Sequence, residues 1–305
     1  MLKAIVGFPF TANHEQICTS QHILDLRNGL MAEITAAAVK ALRDKTNLPM
    51  MDCKKALTEA GGDEAKAIEI LRKQGEKFFV GRGDRVTEEG RIAIHLGDKS
   101  SAMIELQCES APVASNDEFV ELATSLAKQL ATGAGAATPD ELLAQPSPSR
   151  SGVTLAAQRD ELANKIREVF RLTRIARFDG SCGGYVHHTG KVGVLLEIEG
   201  GTPEAAKDVC MHIAAMRPKV LNVADLDAAE VEKEREILTD AARTEGKPEN
   251  IIAKMVEGRM RNYYAQVVLT EQPFVKDDKI TVGKYAEQNK MKLVRFVHWE
   301  LGSQS

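Results

Sequence analysis

The sequence predicts an α+β protein: a small three-helix module followed by a duplicated α/β core domain with antiparallel strands and covering helices. Three observations predict it. Apolar residues recur at three- and four-residue steps from Thr35 to Gly75, the period of amphipathic helices. Residues 95–106 align without a gap against residues 187–198, and each copy precedes a helical stretch. A chain of 305 residues divided by roughly 150 per domain also gives about two domains.

Met1 to Leu30 has no sustained period. Its apolar run Ala4–Phe8 is interrupted by Pro9 and is shorter than the roughly 7–15 residues of a signal-peptide core. Residues 1–30 are therefore read as an extension, either poorly ordered or preceding a start at Met31-Ala32-Glu33-Ile34. The helical module occupies 31–75, with Thr35 as its first N-cap. Its apolar positions are Val39 and Leu42, then Ala56, Leu57 and Ala60, then Ala67, Ile68 and Leu71. Gly61-Gly62-Asp63 reads as a helix stop followed directly by a new N-cap. Between the first two helices, Asn47-Leu48-Pro49-Met50-Met51 carries adjacent methionines. They either plug the small core or form an exposed contact surface. Residues 76–91 mix both charges with Gly81, Gly83 and Gly90 and read as a linker.

The core domain, 92–305, divides into a first half, 92–150, and a second, 151–305. The alignment at an offset of 92 pairs His95 with His187, Lys99 with Lys191 and Glu105 with Glu197. Each copy reads as strand, Gly-containing turn, strand and helix, the helices centred on Leu122-Ala123 and Ala214-Ala215. Between the halves, Gly133–Gly152 holds Pro139, Pro146 and Pro148 among Ala, Gly and Ser, and reads as a mobile connector around one short helix. A helix is expected from Leu155 to about Arg174, its basic residues Arg159, Lys165, Arg167, Arg171 and Arg174 interleaved with Asp160, Glu161 and Glu168. That pattern is a solvated face rather than a nucleic-acid site. Two more helices, 227–245 and 248–262, meet at Gly246 and Pro248, and Leu293–Leu301 is a closing strand.

Composition narrows the function. Net charge is −4 and aromatics make up 5%, so there is neither bulk attraction to a polyanion nor a supply of stacking platforms. Direct binding to nucleic acid or to a membrane is not expected. The odd set Cys18, Cys53, Cys108, Cys182 and Cys210 contains no C-x-x-C pair, which suits a reducing compartment. Cys182, His187, His188, Cys210 and His212 match no common metal-ligand spacing and read as buried thiols and ordinary histidines. No nucleophile elbow, phosphate loop, dinucleotide fingerprint or zinc-protease helix is present. The residues point to a binding protein, with no catalytic residue, metal or cofactor expected.

Val39-Lys40-Ala41-Leu42-Arg43-Asp44-Lys45-Thr46 with Met50-Met51-Asp52-Cys53-Lys54-Lys55-Ala56-Leu57 closely resembles the amino-terminal signature of the elongation factor Ts family. Further blocks resemble it in order: Gly184-Tyr185-Val186-His187, His212-Ile213-Ala214-Ala215, Gly246-Lys247-Pro248, Lys254–Met260 and Leu269-Thr270-Glu271-Gln272-Pro273-Phe274. The resemblance runs from Met31 to about Gly302. It implies a ubiquitin-associated-like helical module and a cytoplasmic guanine nucleotide exchange factor for elongation factor Tu, the partner rather than this chain holding the nucleotide. It also implies that the factor disturbs the magnesium and phosphate site of Tu so that GDP leaves. Carried across by position, Lys40, Arg43, Met50, Met51 and Lys54 face the GTPase domain, with Met50 and Met51 exposed. Ile166 and His187 fall at the core contact. The family usually continues its Cys-Gln/Glu with Thr-Asp-Phe-Val-Ala, whose Asp and Phe intrude beside the magnesium site. Here the chain reads Cys108-Glu109-Ser110-Ala111-Pro112-Val113-Ala114, so a weaker contribution is expected from Ala111, Pro112 and Val113. Arg167 stands where the family tends to have Gly. A divergent scaffold or chaperone that binds Tu and exchanges poorly is the alternative.

Overall fold

The computed structural model describes residues 34–46, 48–80, 85–246 and 248–303; the extension expected over 1–30 lies outside them. The chain divides into two compact units, Met1–Arg82 and Gly83–Ser305.

The first unit holds α1 (Ala36–Thr46), α2 (Met50–Glu59) and α3 (Glu64–Val80). Thr35 starts α1, its Oγ1 accepting the Ala38 N–H at 3.2 Å. The α2 helix stops because Gly61 and Gly62 take φ of 62° and 89°, a left-handed turn that a Cβ would strain. The Gly62 N–H then closes onto the Leu57 carbonyl at 2.8 Å. Asp63 caps α3 by accepting the Lys66 N–H at 3.1 Å. Val39, Leu42, Cys53, Ala56, Leu57, Ala67 and Leu71 form the buried core. Regular structure takes up both ends of the expected linker, since α3 runs to Val80 and β1 starts at Glu89.

The second unit is built on two three-stranded antiparallel sheets. The first has the order β1 (Glu89–Leu96), β2 (Ser100–Cys108), β3 (Arg171–Asp179). Between β2 and β3 lie α4 (Ala111–Ala114), α5 (Asp117–Thr132), α6 (Pro139–Leu143) and α7 (Leu155–Ile166). The second sheet has the order β4 (Cys182–Val186), β5 (Val192–Gly200), β8 (Met291–Glu300). Between β5 and β8 come α8 (Pro203–Met216), α9 (Ala228–Thr244), α10 (Glu249–Val267), the hairpin β6 (Pro273–Phe274) and β7 (Asp277–Thr281), and α11 (Val282–Gln288). The α5 helix packs on β1 and β2, and α8 on β4 and β5, each burying the apolar face that an antiparallel sheet must cover. The helices α9 and α10 pack mainly on each other through Ala242, Ile252, Val256 and Met260.

The duplication extends into detail. β2 and β5 span 100–108 and 192–200, offset by 92, and each carries a register shift after its glutamate, Glu105 or Glu197. Glu105 pairs across the sheet with Arg174 on β3, and Glu197 with Arg295 on β8. The guanidinium of Arg174 lies 4.8 Å from the ring centre of Trp299 on β8, and that of Arg295 lies 4.2 Å from Phe178 on β3. Each sheet thus lends a cation to an aromatic ring of the other. Arg174 and Phe178 recur as Arg295 and Trp299 at an offset of 121, because the insertion before β8 lengthens the second half. Ile92, Met103, Phe178, Leu195 and Trp299 fill the space between the sheets. Close approach there requires Gly193, where a Cβ would stand 2.4 Å from Ile92 Cγ2.

Four expectations change. The helix from Leu155 ends at Ile166, since Arg167 turns left-handed and Arg171 and Arg174 lie on β3; the basic stripe is therefore split between two elements. β3 lies beyond residue 150 yet completes the first sheet. The second covering helix is centred nearer Val209 than Ala214-Ala215, because the one-turn α4 has no counterpart before it. The Gly133–Gly152 connector is pinned, not loose. The Gln145 side chain donates to the Gly135 carbonyl at 2.6 Å, and the buried Ser147 hydroxyl donates to Gln158 at 2.7 Å.

Candidate partner-binding surface

In the helical unit, burying Val39 and Leu42 turns Lys40 and Arg43 outward, and both are exposed. Pro49 opens α2 by accepting the Cys53 N–H at 3.1 Å, which sets Met50 and Met51 in the first turn. They are 47% and 62% exposed. The core closes without them, and they form an exposed apolar patch. Lys54 follows one turn later and is also exposed, on the same side as Met50 by the four-residue rule. The structure thus places all five expected residues on the surface of one small unit.

In the core unit, two of the three expected loci come together. The end of α7 carries Ile166, half-buried, then Arg167 at φ 69° and ψ 29°. This left-handed turn costs a side chain about 1–2 kcal/mol that glycine avoids. It sends Glu168 back across the chain, where one carboxylate oxygen accepts the N–H groups of Glu109 and Ser110, both at 3.1 Å. The other accepts the Ser110 hydroxyl at 2.5 Å. In return, Glu109 accepts the Val169 N–H at 2.8 Å and pairs with Arg85 at 2.6 Å. This crossed pair of carboxylates holds the start of α4, where Ala111 and Pro112 are exposed and Val113 is half-buried. Beneath it, burial and then the charge of Glu168 push the Cys108 thiol up to about 12, so it stays protonated.

His187 lies elsewhere, in the β4–β5 turn. Its Nδ1 sits 2.9 Å from Thr189 Oγ1 and its ring 4.1 Å from that of His188. The turn is fastened to β1 by Ile92 N–H donating to the Gly190 carbonyl at 2.8 Å and by Lys191 pairing with Glu89 at 2.8 Å. His212 is a core histidine with a fixed tautomer. Its Nδ1 accepts the Val275 N–H at 3.1 Å, so Nε2 carries the hydrogen and donates to Gln272 at 2.9 Å. Burial lowers its pKa, with the Gln272 bond opposing. Cys182 lies on β4, His187 and His188 in the turn after it, and Cys210 and His212 on α8.

The sequence reading missed Glu168, Glu109 and Arg85. Their contacts span 24 to 60 residues, and nothing local marks a carboxylate that bonds the backbone of a distant segment. Among the described residues no helix is long and apolar enough to cross a membrane.

Comparison with known proteins adds a family. The family model described as elongation factor TS matches residues 112–303. The chain is 44% identical over 277 residues to an elongation factor Ts from Azoarcus sp., covering 89% of this chain and 92% of that protein. It is 42% identical over 274 residues to one from Methylococcus capsulatus, covering 88% and 92%. A third, from Thioalkalivibrio sulfidiphilus, is 39% identical over 274 residues, again covering 88% and 92%.

Proposed function

Because this chain belongs to the elongation factor Ts family, we propose that it binds GDP-loaded elongation factor Tu in the cytoplasm and accelerates GDP release during translation elongation. It does so as a binding protein and not as an enzyme. The nucleotide stays with the partner, and neither nucleic acid nor membrane is contacted. The work divides between a helical module over 31–75 and a two-part core over 92–305, joined through 76–91.

The observation that carries this reading is the methionine pair, solvent-exposed over a core that closes without it. The same unit exposes the cations Lys40, Arg43 and Lys54; among the described residues none of the three forms an ion pair, whereas Lys45 is paired with Glu64. An exposed apolar pair on a unit that also exposes these cations fits a protein partner with apolar and acidic groups. The core adds the Ala111–Val113 and Ile166 locus and the His187 turn. Exchange then follows from linkage: a factor that prefers nucleotide-free Tu over GDP-bound Tu weakens GDP by that same factor.

A second reading is favoured by one observation. Ala111 and Pro112 offer neither carboxylate nor aromatic ring at the exposed start of α4, so the chain could bind Tu as a scaffold and exchange poorly. Stopped-flow release of a fluorescent GDP analogue from the cognate Tu separates the two. Acceleration supports exchange, binding without acceleration supports the scaffold, and neither binding nor acceleration refutes both.

A further inference from the structure

We propose that Glu168 is a positioning residue for nucleotide exchange: its carboxylate clamps the Glu109–Ser110 backbone and so fixes where α4 presents Ala111, Pro112 and Val113. The inference rests on the exchange reading above.

The geometry carries the argument. A helix start leaves N–H groups without partners, and the residue before the helix normally supplies the cap from its own side chain. Ser110 occupies that position but makes no such bond. Its hydroxyl turns away and donates to Glu168 at 2.5 Å, while the N–H groups of Ser110 and Glu109 donate to the other oxygen at 3.1 Å. One carboxylate therefore takes three hydrogen bonds from two consecutive residues, fixing both the direction and the roll of the chain entering α4. A single bond would leave that roll free.

The clamp is doubled. Glu109 reaches the opposite way to the Val169 N–H at 2.8 Å, so adjacent residues on each segment hold the other segment. Arg85 closes the outer side of Glu109 at 2.6 Å. Below, the Cys108 thiol donates to the Ser110 carbonyl at 3.3 Å, which leaves Ser110 bonded on every polar group. The left-handed Arg167 aims Glu168 at this target. So much bonding on a four-residue helix whose own contacts are small (Ala, Pro, Val) is out of proportion to core stability. It suits a loop that must hold one orientation against a partner.

The test uses the full-length chain with cognate Tu carrying a fluorescent GDP analogue, and compares wild type, Glu168→Ala and Glu168→Gln. Glutamine keeps an oxygen for the two N–H groups, and its amide N–H can donate to the Ser110 hydroxyl oxygen in place of accepting from it, so it is the rescue. In the free protein, hydrogen exchange of the Glu109 and Ser110 amides is expected to quicken at least tenfold in Glu168→Ala and to stay within about threefold of wild type in Glu168→Gln. In the release assay, Glu168→Ala is expected to lower the maximal rate at least threefold, with the half-saturating concentration within twofold and Glu168→Gln near wild type. The double substitution Ala111→Asp with Pro112→Phe adds a cycle: it should raise the maximal rate with Glu168 present and not in the Glu168→Ala background. Unchanged amide exchange overturns the clamp. An unchanged maximal rate, or a gain of the same size in both backgrounds, overturns the positioning role. A wild-type chain that fails to accelerate release overturns the exchange reading first and this role with it, and protected amides would then mark the clamp as structural only.

Discussion

Truncating the methionine pair tests whether the helical unit grips a partner. Met50 and Met51 are 47% and 62% exposed, and burying a whole methionine side chain is worth about 1.5–3 kcal/mol. Scaled by the exposed fractions, docking both offers about 1.6–3.3 kcal/mol, of which alanine retains a part. Met50→Ala with Met51→Ala should therefore cost about 1–2 kcal/mol of binding, a five- to thirtyfold weaker complex with Tu. Folding should be untouched, because neither side chain belongs to the buried core and alanine is the better helix former. The thermal midpoint should stay within about 2 °C. Leu42→Ala is the contrasting control: Leu42 is fully buried, and its truncation should destabilise the module by about 2–5 kcal/mol. Calorimetric titration of Tu with each variant reads the affinity. If the double variant binds within twofold of wild type while melting normally, the patch is not the grip and the reasoning from exposure fails.

Three further outcomes follow from the core unit. Arg167→Gly should stabilise the chain by about 0.5–1 kcal/mol in urea unfolding, since glycine relieves a left-handed position at some cost in unfolded-state entropy. The duplicated ion pairs should behave unequally. Glu105 is nearly inaccessible and its partner Arg174 mostly covered, whereas Arg295 beside Glu197 is 57% exposed. Glu105→Ala should therefore cost about 3 kcal/mol or more and Glu197→Ala about 1 kcal/mol or less; equal losses would refute the difference in environment. Finally, His212 is held neutral, with its folded pKa lowered by burial. Between the folded and unfolded pKa values the unfolded chain binds the extra proton, so the contribution of this group to stability is full above about pH 6.5 and is lost as pH drops below it. His212→Gln should flatten that part of the stability–pH profile; an unchanged slope would assign it elsewhere, for instance to His298, whose pKa burial also lowers.

The fold class was legible because both its signals are local or repeated. The three-residue and four-residue apolar steps found Val39, Leu42, Ala56, Leu57, Ala67 and Leu71, all of them buried, with Ala60 and Ile68 half-buried against them. The offset of 92 found β1 with β2 and β4 with β5. It could not find the matching of β3 with β8, because the segments before them differ by 29 residues, the difference between the offsets 92 and 121. The break after Ile166 was hidden for a related reason. Arg167 takes a backbone conformation that glycine would have advertised, so charge and helix propensity ran on unchecked to Arg174. At the surface, the exposure of Met50 and Met51 was left open by the residues and suggested by the resemblance. The Glu168 clamp was invisible, since its bonds close over 58 and 59 residues and only tertiary structure brings their ends together.

The exposed start of α4 constrains how this chain can work if it is an exchange factor. Ala111 and Pro112 can fill space and Pro112 fixes one dihedral, but neither can compete for a magnesium ion or place a ring in a pocket. Any preference for nucleotide-free Tu must then come from contacts that improve as the nucleotide site opens, at about 1.4 kcal/mol for each tenfold weakening of GDP. Contacts made equally to both states tighten binding without weakening GDP at all. The methionine patch alone therefore yields a binder. A rigidly held α4 converts binding into exchange only if its fixed position is incompatible with the closed site. Stiffness there does more than added affinity elsewhere, because a loop free to yield would accommodate GDP-bound Tu and erase the preference.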